Sequence, residues 1–185
     1  LKGTKEIAVD LETNDPDLKE LGSGNVIGRG HIAGIAVATE GWSGYFPIHH
    51  EQGGNMDKKL VLDWLQDLFN QEYTTFIFHN AMYDVCWLRN AGIKIKGKIV
   101  DTMIAASLID ENRLSYQLNT LAKHYVGIGK DEKVLYNAAK EYGLDPKKEL
   151  WRLPAMFVGQ YAERDAEATL KLWQRLHREL YDQEL

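Results

Sequence analysis

The chain has 185 residues, 44% of them hydrophobic and five of them Trp, enough to bury one sizeable core and to suggest a single domain over 1–185. A net charge of −5 excludes a protein that grips nucleic acid mainly through bulk positive charge, so any phosphate contact has to be local. The single Cys86 excludes an internal disulfide and fits a reducing compartment, such as a cytoplasm, a nucleoid or the cytoplasm of an infected host, and no apolar run approaches membrane-spanning length.

Residues 6 to 12 read as a buried strand, followed by a polar, glycine-rich loop from Asn14 to Gly30 that contains Pro16. The pair Gly22 and Gly24 does not make a dinucleotide fingerprint, because Ile27 stands where a third glycine is needed and no helix comes after it. The next stretch is β-rich: His31 to Ala38 and Ser43 to Ile48 form a hairpin across Glu40-Gly41. From Asp57, a candidate N-cap, the period turns helical to about Asn70, with Leu60, Val61, Trp64, Leu65 and Leu68 on one face. Thr75 to His79 is a short continuous apolar run, the pattern of a strand covered on both sides.

That strand leads into a helix from Ala81 to about Ala91, stopped by Gly92. A last short strand over Lys98 to Val100 precedes helices from Asp101 to about Ile109 and from Gln117 to Val126. Residues 127 to 157 carry helical patches around Val134 to Tyr142 and Pro146 to Trp151, separated by Gly143, and are expected to form loops and short helices. The last helix, about Val158 to Leu180, is long and amphipathic. Three strands and then alternating strands and helices indicate an α/β fold on a mixed sheet. A chain that opens on Leu and closes in helix-like charged sequence is expected to be a piece of something longer.

Four carboxylates occupy positions where an acid is costly. Side chains alternate in a strand, so Asp10 and Glu12 point to one face at the end of an apolar run. In the final helix Val158, Ala162, Thr169, Leu172, Leu176 and Leu180 mark the inward stripe, and Asp165 falls in its gap. Asp84 shares the stripe of Ala81, Val85 and Leu88. A buried, unpaired carboxylate is unfavourable by several kcal/mol, so each must be neutralised, hydrogen-bonded or metal-bound. All-oxygen ligation suits Mg²⁺ or Mn²⁺, and no His or Cys cluster at zinc spacing competes. The structural alternatives are an ordinary strand end for Asp10 and Glu12, an N-cap for Asn80 with Asp84 facing the helix dipole, a core aromatic for Tyr161 and a buried ion pair for Asp165. His79 and Cys86 read as packing residues.

Three segments carry a family resemblance: Val9-Asp10-Leu11-Glu12-Thr13, His79-Asn80-Ala81-Met82-Tyr83-Asp84 and Tyr161-Ala162-Glu163-Arg164-Asp165-Ala166. In this order and spacing they resemble the tyrosine subclass of the DEDD 3′–5′ exonucleases, most of all the proofreading domain of family A DNA polymerases, and Asp101-Thr102-Met103 resembles a further family segment. The resemblance implies a ribonuclease H-like fold with five strands flanked by helices. It implies hydrolysis of phosphodiester bonds at DNA 3′ ends with two divalent cations, Mg or Mn, held by Asp10, Glu12, Asp84 and Asp165. Tyr161, with Glu12, is then expected to orient the attacking water, and Thr13 and Asn80 to contact the bound strand. Pro16 stands near where relatives place an apolar wedge. The implied partners are a single-stranded DNA 3′ end and a polymerase domain C-terminal in the same parent chain. The alternatives are an exoribonuclease of the RNase D type, with the same site and another substrate, and an inactive scaffold on a catalytic fold.

Overall fold

The computed structural model describes residues 1–129 and 131–185. In chain order the elements are β1 (Glu6–Asn14), two one-turn helices α1 (Leu18–Leu21) and α2 (Gly24–Ile27), β2 (His31–Thr39), β3 (Trp42–Pro47), α3 (Lys58–Phe69), β4 (Thr75–Phe78), α4 (Ala81–Asn90), β5 (Lys98–Asp101), α5 (Thr102–Ile109), α6 (Leu118–Val126), α7 (Lys133–Tyr142), two 3₁₀ turns at Leu150–Arg152 and Ala155–Phe157, and α8 (Gly159–Asp182). The strands form one sheet in the order β3-β2-β1-β4-β5. β1 pairs antiparallel with β2 and parallel with β4, and β4 pairs parallel with β5. This is the mixed five-stranded, helix-flanked sheet expected of a ribonuclease H-like fold. Among the described residues no helix is long and apolar enough to cross a membrane.

The two faces of the sheet differ in bulk, and the difference positions the site. One face presents Ile7, Val9, Leu11, Ile35, Val37, Phe76 and Phe78 to α3 and α4. The other presents Ala8, Ala36 and Ala38 beside Ile77, and packs against α5, α6 and α8. Small residues let a helix backbone approach closely, so α8 crosses β1 and β2 directly. Asp10 and Glu12 share the face of Ala8, because side chains two apart point the same way. A third cluster, Leu135, Ala138, Ala139, Leu150, Leu153 and Val158, ties α7 and the 3₁₀ turns to the start of α8.

Several local expectations are corrected. Leu60 is not inward but 69% exposed, because the buried stripe of α3 is Val61, Leu65, Leu68 and Phe69, and Leu60 sits a hundred-degree step off it in the first turn. Asp57 does cap α3, accepting from Leu60 N at 2.9 Å. The segment 14–30 is not all loop: β1 runs to Asn14, and the Asp15 carboxylate accepts from Gly24 N (3.0 Å) at the start of α2. The helical patch expected over Pro146 to Trp151 narrows to the 3₁₀ turn Leu150–Arg152. Asp145 accepts from the backbone N–H groups of Lys147 and Lys148, a turn that competes with helix over these residues.

Candidate active site

The parallel strands β1, β4 and β5 run in the same direction, so their C-terminal ends lie toward one end of the sheet. β1 delivers Asp10 and Glu12, both half-buried. Its pairing with β2 shifts register after Glu12: Glu12 faces Gly34 while Thr13 faces Ile32, so Ala33 is the extra residue of a bulge. The freed Ala33 carbonyl accepts from Ile48 N and His49 N instead.

Asp84, in the first turn of α4, is 4% exposed. Burial first, then the charges of Asp10, Glu12 and Asp101, hold its carboxyl well above the usual carboxylate range. Tyr161 and Asp165 are one turn apart on α8, and the Tyr161 hydroxyl hydrogen-bonds Asp165. Its pKa is raised by burial and by the charges of Glu12, Asp165 and Asp10. The field of β1's carboxylates thus reaches both helices. Among the described residues no three Asp, Glu, His or Cys side chains stand at the spacing that would already hold an ion. Convergence here means shared charge in a common environment, and the donor set is all oxygen, which fits a hard divalent cation.

Glu12, Asn80, Tyr161 and Asp165 line a cleft of about 600 Å³, with Tyr116, Tyr136 and Lys147 on its walls. A larger hollow of about 830 Å³ lies at the opposite end of β1, beside Lys5, Glu6 and Tyr73, away from the four carboxylates. Of the four carboxylates, Glu12 and Asp165 line the smaller cleft, and Asp10 and Asp84 are not on its wall.

Asn80 stands at the first position before α4 but does not cap it with its side chain; its backbone is left-handed, φ 65°, a conformation Asn tolerates better than most residues. The cap comes from Asp101 at the end of β5. One oxygen accepts from Asn80 N (3.0 Å) and Met103 N (2.8 Å), the other from Ala81 N (2.8 Å). A single carboxylate therefore closes the N-termini of both α4 and α5, and its signal in the sequence is an acid between a short β-run and a helix. Asp101→Ala is expected to destabilise the fold by about 1–3 kcal/mol, because two helix starts lose their acceptor together; chemical denaturation against the parent measures it. A loss within a few tenths of a kcal/mol would remove Asp101 from that role.

Thr13 Oγ1 lies 2.8 Å from the Tyr83 hydroxyl, which donates to Asp15 Oδ2 at 2.9 Å. Burial pushes the Tyr83 phenol up to about 12, so it remains a neutral donor. This chain of bonds fastens the 15–30 segment to α4. His79 is more than packing: Nε2 is 2.9 Å from Tyr116 O and Nδ1 2.7 Å from Thr102 Oγ1, and the ring lines the cleft. Cys86 is half-buried on α4.

Known proteins resemble this chain in sequence and in fold. A family model described as 3′–5′ exonuclease matches residues 1–181. A DNA-directed DNA polymerase of Pseudomonas phage M6 is 41% identical over 190 residues, covering 100% of this chain and 28% of that protein. The chain thus spans little more than a quarter of that relative's length. Among solved structures, Brucella melitensis NrnC with bound Mg²⁺ superposes with a TM-score of 0.66 at 18% identity, over 98% of this chain and 76% of that one. The catalytic core of RRP6 from Trypanosoma brucei does so with a TM-score of 0.68 at 23% identity, over 98% and 42%. Divalent-metal dependence comes with the matched family, and the donor set at the end of β1 suits it. By that match over nearly its whole length, the chain belongs to the 3′–5′ exonuclease family of the family A DNA polymerases.

Proposed function

We propose that this exonuclease edits DNA, removing nucleotides one at a time from an unpaired 3′ end beside a polymerase domain carried C-terminally in the same parent chain, inside the cell or infected host where that DNA is copied. The observation that carries the reading is Asp84: a carboxylate buried in the field of Asp10 and Glu12 is tolerable where a cation balances the charge. The identity to a phage DNA polymerase favours DNA over RNA as substrate.

In this reading Asp10, Glu12, Asp84 and Asp165 hold two divalent cations, Mg or Mn, whose chemistry is to lower the pKa of water and to neutralise charge on the phosphate. Everything else falls to the chain itself. Tyr161 donates its hydroxyl proton toward Asp165, and its oxygen would accept from a water directed at the scissile phosphate. Asn80 is on the cleft wall with its side chain exposed, placed to meet the sugar-phosphate backbone. Thr13 meets the terminal nucleotide at the end of β1, with its hydroxyl proton given to Tyr83 and its oxygen still able to accept. Tyr116 and Tyr136 supply aromatic surface on which bases stack, a mode that needs no large basic patch and agrees with the net charge of −5.

The test is cleavage of a short 3′-labelled DNA strand. Mg²⁺ or Mn²⁺ should support it, Ca²⁺ should support it poorly because its looser coordination positions the water less well, and excess chelator should abolish it. Single strands should be cut faster than blunt duplex. Strong activity in chelator would remove the metal reading, while a matching RNA strand cut faster than DNA would move the chain to the exoribonucleases.

A further inference from the structure

Tyr45 on the edge strand β3 and His50 just beyond it stand outside the four-carboxylate set. His50 is 2% exposed. Its Nδ1 lies 2.9 Å from Leu153 O, and because a carbonyl can only accept, Nδ1 carries the proton. Burial lowers the pKa of this imidazole, so it is neutral and Nε2 is an acceptor. Nε2 lies 2.6 Å from the Tyr45 hydroxyl, which must therefore donate to it. The ring is held from its backbone as well, since His50 N donates to Asn55 Oδ1 (2.6 Å) and Asn55 Nδ2 to His50 O (2.8 Å).

The Tyr45 hydroxyl occupies the space a side chain would take at Gly34: a Cβ built there would fall 2.1 Å from it. Gly34 is the cross-strand partner of Glu12, and side chains so paired lie about 5 Å apart at Cβ. The hydroxyl is thus the direct neighbour of Glu12 on the site face of the sheet. The charges of Glu12 and Asp10 add to burial in raising its pKa, as that closeness requires. The other side of the Tyr45 ring is covered by Gly159, where α8 begins two residues before Tyr161.

We propose that Tyr45 and His50 are a positioning pair for the nuclease reaction, in which His50 takes the only proton of the Tyr45 hydroxyl and so keeps that hydroxyl from donating to Glu12. This rests on the reading of Glu12 as a metal-binding and water-orienting carboxylate. A hydroxyl without another acceptor would turn to the nearest carboxylate, making a charge-assisted bond that competes for the same lone pairs.

His50→Asn is the discriminating variant: its amide nitrogen still reaches Leu153 O, but nothing replaces Nε2. Single-turnover cleavage of a 3′-labelled DNA strand should slow by about tenfold, the scale of one charge-assisted hydrogen bond, with a higher Mg²⁺ concentration needed for half-maximal rate. Adding Tyr45→Phe to it removes the competing hydroxyl and should restore rate and Mg²⁺ dependence to within about threefold of the parent, although a structural defect would only deepen with a second lost group. His50→Gln, which puts an amide oxygen near Nε2, should cut like the parent. Thermal melting of each variant accompanies the rates. If His50→Asn cuts with parental rate and Mg²⁺ dependence, or if the double variant is as slow as the single one, the proposal is overturned. Glu12→Gln is the control for the underlying reading: an inactive Glu12→Gln beside a parental His50→Asn refutes only the positioning pair, whereas an active Glu12→Gln refutes the site assignment itself.

Discussion

Asp10→Ala is expected to abolish cleavage for practical purposes while leaving the fold intact. Asp10 shares a field with Glu12: after burial, the charges of these two acids raise the pKa values of Asp84, Tyr161 and Tyr45, with Asp10 the larger charge at Asp84 and Glu12 at the tyrosines. Removing the acceptor that faces all of these costs several kcal/mol of charge stabilisation in the transition state, and about 4 kcal/mol corresponds to roughly a thousandfold in rate. The stability consequence has the opposite sign. Asp10 is a like charge beside the buried Asp84, so in chelator the variant should melt at or above the parental temperature. Single-turnover cleavage in Mg²⁺ and a melt in chelator measure the two effects separately. Cleavage within tenfold of the parent by a folded Asp10→Ala protein would end the assignment of Asp10 as a metal ligand.

Tyr161→Phe separates the chemistry from the packing. The ring is part of the cluster that joins α7 and Leu153 to the start of α8, and Phe preserves that volume. The variant loses one hydroxyl that bonds Asp165, a contact worth about 0.5–1.5 kcal/mol to stability. Turnover should fall by about a hundredfold, the usual scale for a positioned proton-handling group, with the Mg²⁺ dependence little changed. Asp165→Asn beside it should instead raise the Mg²⁺ requirement. A Tyr161→Phe protein that cuts at the parental rate would assign the ring to the core and leave the carboxylates alone in the mechanism.

Much of this protein is readable from the order of its residues. Strand and helix types come from periodicity, because a two-residue repeat and a 3.6-residue repeat bury different positions, and the acids at Asp84 and Asp165 stand out as gaps in otherwise apolar stripes. The family resemblance rests on three short segments for the same reason: chemistry constrains residue types and local spacing, and both survive in one dimension. Contacts between distant segments do not. That Asp101 closes a helix twenty residues before it, that Tyr45 fills the space above Gly34, and that His50 is tautomerically fixed by Leu153 all depend on separations of up to 103 residues being brought to hydrogen-bond distance. The misplacement of Leu60 has a related cause, since two adjacent apolar residues in a first turn are equivalent to a periodicity count and only the packed sheet selects Val61. Residue order is enough to say where the strands and the longer helices form and which acids need neutralising, while the short turns of helix at 18–27 and the 3₁₀ turn at 150–152 are settled only in the fold. Which groups cap, fill and fasten the site emerges only on folding, because those roles belong to whichever polar atom the folded chain leaves within about 3 Å.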